Sequence, residues 1–236
     1  TGTISGTSTV ISSSTTYTIT AENSGGSDIV TIVIEVNDIA PSISYSGSPF
    51  TETKDTTMAP EAPTNNGGTV VSWSVSPSLP TGLVLSPTTG VITGTPTVVS
   101  STATYTITAE NSGGSDTTTV EITVNDIPPT NIAYSSSPLT LTKGELMTPA
   151  TPTSSGGAVI SWSVSPALPV GLAIDVSTGE ISGTPTSVTS SAIYTITAEN
   201  SGGSTTATVT IEVTEAPPSS IIYSPNTFVL TKGTAM

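Results

Sequence analysis

The side chains able to do chemistry in this chain are oxygen donors and three lysines. Its 236 residues include no cysteine and no histidine. A nucleophile of the Cys-His or Ser-His kind cannot be assembled within it. Neither can a zinc site of thiolates or imidazoles, nor a disulfide. Seventeen acidic residues and several asparagines remain. Glu22-Asn23, Glu110-Asn111 and Glu199-Asn200 stand at equivalent places in one recurring string, and Asn37-Asp38, Asn125-Asp126 and Thr214-Glu215 in another segment. Carboxylate and amide oxygens are what a hard cation takes, so Glu22, Asn23, Asp38, Glu110, Asn111 and Asp126 are the candidate metal ligands. The competing reading gives them to turns and solubility, with Asn111 capping its own backbone. Lys54 and Lys143 raise a second chemistry, an internal amide crosslink to Asn or Asp. Their polar T-K-D and T-K-G contexts suit a guard against sheet-edge pairing better. Glu121, Glu145, Asp175 and Glu180 are isolated, and no carboxylate pair of the glycosidase kind is implied. The chain is expected not to be an enzyme.

Charge and composition narrow the partners. Three lysines against 17 acids give a net charge of -14. That disfavours nucleic acid and anionic membrane as partners. Hydrophobic residues make up only 34%, a share low enough to suggest disorder. Here, however, Val and Ile alternate with Thr and Ser, the composition of strands with one buried and one wet face. No stretch approaches the roughly 18 apolar residues of a membrane span.

Internal repetition organises the chain. YTITAENSGGS begins at Tyr17, Tyr105 and Tyr194, and SWSVSP at Ser72 and Ser161. T-G-x-I-x-G-T begins at Thr1, Thr89 and Thr178. Lys54, Lys143 and Lys232 are one position copied in successive units, as are Met58, Met147 and Met236. One unit is a residue longer, between Thr130 and Tyr134, which a domain start absorbs most easily. Two complete repeats are expected, at residues 41–128 and 129–217. Residues 1–40 read as the back of a preceding repeat and 218–236 as the front of a following one. The chain is thus read as a window on a longer tandem array.

Within residues 41–128 the elements are short strands. Ile43 and Tyr45 start the unit. Phe50 to Met58 reads as an edge strand, and Pro60 and Pro63 bar the next region from a central one. Val71, Trp73 and Val75 alternate with serines, with Trp73 as core centrepiece and Trp162 its twin. Leu83 and Leu85, then Val91-Ile92, begin two short strands around a Thr89-Gly90 turn. Tyr105, Ile107 and Ala109 share a face, as do Thr118, Val120, Ile122 and Val124. About seven strands split by Gly/Pro turns predict an all-β, two-sheet sandwich, repeated along an elongated array.

SWSVSP-x-LP-x-GL, STGEISGTP at 177–185 and YTITAENSGGS together resemble the immunoglobulin-like repeat of large bacterial and archaeal surface proteins. That family is related to cadherin-like and dystroglycan-type domains. The resemblance covers essentially the whole chain and implies Ig-like sandwiches. It also implies calcium as the cation for the boundary residues above, although the dense D-x-N-D-N run of cadherins is missing. It implies an extracellular or cell-surface location and a structural role: a fibre, stalk or filament. For a filament, the partial end repeats point to strand donation between copies. The alternatives are an adhesion module for glycans or proteins, and spacer domains of a secreted enzyme. Expected partners are neighbouring copies or adjacent repeats, and surface glycans.

Overall fold

The structure is a computed structural model and describes residues 2–224, 227, 229–233 and 235. Thr1 and Met236, which open one repeated string and close the methionine series, lie outside the described residues. The chain divides between Ile127 and Pro128 into two compact units. Among the described residues every regular element is a strand.

The first unit opens with a long hairpin, β1 (Ser12–Asn23) and β2 (Gly26–Val36), paired antiparallel. A complete repeat follows: β3 (Ile43–Ser44), β4 (Phe50–Thr53), β5 (Thr64–Asn65), β6 (Ser72–Ser76), β7 (Leu83–Leu85), β8 (Ile92–Gly94), β9 (Ser100–Asn111) and β10 (Gly114–Asn125). One layer has the order β4-β10-β9-β6, in which β4 runs parallel to β10 and the other pairs are antiparallel. The second layer is built from smaller pieces. β3 pairs with β5, β7 pairs with β8, and a bridge from Glu61 to Ile92 joins the two pairs.

Neither Pro60 nor Pro63 lies in a strand, as expected, and the segment between them touches β8 only through that bridge. The ladder draws on other amides: Met58 N–H donates to Gly94, Glu61 N–H to Ile92 and Asn66 N–H to Ser42. The prolines stand where no donor is needed.

Alternation decides what the layers bury. Tyr105, Ile107 and Ala109 on β9, Val120, Ile122 and Val124 on β10 and Trp73 on β6 face inward, with Leu83 and Ile92 in the opposite layer. Each fully buried Val or Ile contributes about 1.5–3 kcal/mol. Threonines take the outer positions, where β-branching suits an extended backbone. Val71 departs from its expected place beside Trp73. It precedes β6, with its N–H donated to Glu110, and its side chain is exposed. Its twin Ile160 behaves alike.

The second unit repeats the plan with β11 (Pro129–Tyr134), β12 (Leu139–Thr142), β13 (Pro152–Gly156), β14 (Ser161–Ser165), β15 (Leu172–Ile174), β16 (Ile181–Gly183), β17 (Thr189–Asn200) and β18 (Gly203–Thr214). Its larger layer has the order β12-β18-β17-β14. The extra residue falls in the register shift of β11 between Thr130 and Ala133, where Asn131 has φ 53°.

Candidate functional site

Polar side chains converge where the chain enters the first complete repeat. Residues 38–43 run past two glycine-containing turns, Asn65–Gly68 and Asn111–Gly114. Asp38 N–H donates to Ser112 Oγ at 3.0 Å. The Asn111 carboxamide donates from Nδ2 to the Ile39 carbonyl at 2.7 Å and to the Thr69 carbonyl at 3.1 Å. Gly68 N–H donates to Ala40 O at 3.1 Å and Asn66 N–H to Ser42 O at 2.8 Å. Ser42 N–H donates to Asn65 Oδ1 at 3.0 Å, and Ile43 N–H to a carboxylate oxygen of Asp116 at 2.7 Å. The glycines are there for space. A Cβ on Gly68 would lie 1.9 Å from Ile39 O, and one on Gly113 would lie 2.0 Å from Asp38 O.

The expected site residues fall into this frame unevenly. Asn111 is buried, and Gly113 N–H donates to its Oδ1 at 2.8 Å. Its amide is committed to the backbone on both sides, which is the turn-capping role. Asp38 lies beside it, with Ile39 N–H donating to Oδ1 at 2.8 Å. Glu110 is exposed on the same strand end. Glu22 and Asn23 lie at the equivalent tip of the hairpin, where Asn23 Oδ1 accepts from Gly25 N–H at 2.8 Å. Asp126 Oδ1 accepts from Ile127 N–H at 2.9 Å. The structure therefore brings Asp38 and Asn111 together. Among the described residues it gathers no group of three or more Asp, Glu, His or Cys placed to hold a metal ion. For calcium, which takes 6–8 oxygens, the Asn111 donor set is a poor fit, because that amide points nitrogen, not oxygen, at the incoming segment.

The candidate set read from the sequence did not include Asn65, Ser112 or Asp116. Their signal was present in the glycine pairs Gly67-Gly68 and Gly113-Gly114, which recur at 156–157 and 202–203. In the second repeat Asn65 becomes Ser154 and Asp116 becomes Thr205. There the direct pairing of β11 with β13 holds the segment instead. The hairpin carries Asp28 at the Asp116 position, and its Oδ1 takes the neighbouring Ile29 N–H.

A second unpredicted constellation sits under each sandwich. The Tyr45 hydroxyl donates to the Gly90 carbonyl, and Gly90 lies over the ring of Trp73. Tyr134, Gly179 and Trp162 repeat the arrangement. Burial raises both phenols, Tyr134 to about 12. Beside Gly179, Asp175 holds the turn: its Oδ1 accepts from Ser177 N–H, Ser177 Oγ–H and Thr178 N–H at 2.8, 2.6 and 2.9 Å. These bonds favour the anion and lower its pKa to about 2.

The lysines are surface groups. Lys143 Nζ lies 2.9 Å from Glu215, and Lys54 Nζ lies 3.8 Å from Asp55, all partly or largely exposed. Pairs of this kind contribute about 0–1 kcal/mol.

One pair of acids distinguishes the repeats. Glu52 on β4 has its pKa raised, chiefly by burial and then by the charge of Glu61. The second repeat carries Leu141 and Ala150 at these positions, both packed into its core. The double change Glu52→Leu and Glu61→Ala is expected to stabilise the first repeat at pH 7 by about 1–2 kcal/mol. A raised carboxyl pKa means that the folded state binds more protons, so this repeat gains stability as pH falls through that pKa. The advantage of the variant should shrink toward pH 4. Denaturant unfolding at both pH values, with Trp162→Phe so that Trp73 alone reports, checks the sign.

Two sheets, a parallel pairing of the second strand with the last and a tryptophan centre define a tandem Ig-like sandwich protein. The chain belongs to the family described as "Putative Ig domain", which matches residues 31–125 and 128–214. It is 34% identical over 157 residues to a Serine-rich adhesin for platelets of Staphylococcus aureus, a match covering 64% of this chain and 7% of the adhesin. The adhesin of strain MRSA252 is 33% identical over 157 residues, with 11% of its length covered. The chain thus spans a small part of these relatives. Among solved structures it resembles the eight N-terminal Ig domains of Down Syndrome Cell Adhesion Molecule, with TM-score 0.49, 16% identity, and 86% of this chain and 28% of that one covered. It also resembles Sidekick-1 immunoglobulin domains 1–4, with TM-score 0.48, 16% identity, and 87% and 60% covered.

Proposed function

We propose that this chain is a spacer segment of a cell-surface adhesive protein, an array of Ig-like repeats that carries a binding region away from the cell. The observation that carries this reading is the 157-residue alignment with a platelet adhesin. That length exceeds one repeat of this chain. The buried aromatics Trp73, Trp162, Tyr105 and Tyr194 support it, since they are spent on cores and not displayed. The test immobilises the full chain on beads and measures retention of platelets and of a glycan panel. A spacer retains neither above blank beads. Saturable retention competed by soluble chain would overturn it in favour of an adhesion module.

Strand donation between copies is the finer reading, and the hairpin favours it. Tyr17 is 47% exposed where its counterpart Tyr105 is 6% exposed, and the inward positions of β2 lack a facing layer. The occupant we assign is the 229–230 stretch of a second copy, the counterpart of Thr51 and Glu52 on β4, where Val229 and Leu230 are exposed. It would add in parallel to β2 as β4 adds to β10. Sedimentation should show self-association that Ile34→Lys weakens. A chain monomeric at high concentration would rule donation out.

A further inference from the structure

We propose that the Asn111–Gly114 turn and the Asn65–Gly68 turn form a metal-free clamp that fixes how the β1–β2 hairpin is joined to the first complete repeat. The inference rests on the spacer reading and adds a mechanism for stiffness. A linker flexes when its backbone groups can exchange partners with water. Between residues 38 and 43 those groups are held by the protein. The Asp38 and Ile43 amides go to Ser112 and Asp116, the Ser42 amide to Asn65, and the Ile39 carbonyl to Asn111. The Ala40 and Ser42 carbonyls accept from the backbone of the second turn. Four side chains of the repeat thus grip a six-residue lead-in at points from one end to the other. Missing Cβ atoms let the turns close on it: side chains at Gly67, Gly68 and Gly113 would overlap Ala40 O, Ile39 O and Asp38 O. None of the three has positive φ, so close approach alone requires glycine there. Asn111 is buried within this contact. A cation bridge would need oxygens free to face it, whereas Asn111 aims a donor at the joint and Ser112 Oγ, Asn65 Oδ1 and Asp116 each already accept a backbone N–H there.

The absence of cysteine permits two unique spin labels on the full chain, at Thr20→Cys in the hairpin and Thr104→Cys in the repeat, both exposed positions. Double electron–electron resonance should give a single narrow distance distribution without calcium. Asn111→Asp keeps the acceptor for Gly113 and removes both Nδ2 donations, and should at least double the width. Ser112→Ala, an exposed hydroxyl that the repeat core does not use, should broaden it less. If Asn111→Asp unfolds the repeat, as Trp73 fluorescence would report, Ser112→Ala alone decides. A distribution already broad in the parent chain, one unchanged in the folded variants, or one narrowed by millimolar calcium would overturn the clamp. None of these outcomes bears on the bead-retention result, so the two proposals fail separately.

Discussion

Replacing Trp73 by Ala is expected to lower the stability of the first complete repeat by about 3–5 kcal/mol, the usual cost of emptying a large aromatic site. Trp73 is 7% exposed, and it is the single tryptophan in a core otherwise built of Val, Ile, Leu and a few larger side chains. Its neighbours are poorly able to collapse into the vacancy. Gly90 on one side has no side chain to offer, and the β9 residues opposite are pinned by pairing on both edges, to β6 and to β10. The variant also leaves Trp162 as the sole indole, and it reports the second repeat. Calorimetry should then show one transition displaced downward, while Trp162 fluorescence marks the other at its former temperature. A loss under 1 kcal/mol in the first repeat would refute the core assignment.

Much of this architecture was legible because period-2 patterning is strong where one face is wet. Tyr105, Ile107 and Ala109 against Thr104, Thr106 and Thr108 read as a strand with known inward residues, and the structure buries those three. The repeat made the reading safer, since the same alternation recurs from Tyr194. What stayed hidden was pairing across the sandwich. Pro60 and Pro63 argued against a central strand, and neither lies in one, but the bridge from Glu61 to Ile92 between them could not be read from the sequence. Val71 continued the alternation of Trp73 by type, but it stands one residue before the strand and faces water.

The clamp was illegible for a related reason. Asn111 signals a turn locally, and that part holds through its bond to Gly113. Its other two bonds reach Ile39 and Thr69, 72 and 42 residues away in sequence. No spacing rule connects such positions. The same holds for Asp116 and Ile43. Acids and amides near a boundary suggested ligands because residue type alone does not show which atom points where.

Gly179→Ala should damage the second repeat strongly, by adding atoms rather than removing them. Two costs combine. Gly179 has φ 75°, a conformation that costs an L-residue about 1–2 kcal/mol. A Cβ there would also lie 2.5 Å from the indole of Trp162, an overlap with a buried ring that can retreat only by disturbing its packing. Overpacking of that kind adds about 1–3 kcal/mol. The Tyr134 hydroxyl bond to the Gly179 carbonyl resists any shift of the turn away from the ring. Gly144 in the same repeat separates the two terms. It has φ 82° but nothing within 4 Å of an added Cβ, and its counterpart in the first repeat is Asp55, a side-chain residue at φ 60°. Gly144→Ala should therefore cost only the backbone term, about 1–2 kcal/mol. Denaturant unfolding of the two variants, read through Trp162, should give a difference of about 1–3 kcal/mol that belongs to the ring contact. Equal losses would mean that the glycine is there for its backbone alone, and that the Tyr-Gly-Trp arrangement does not hold the sandwich together.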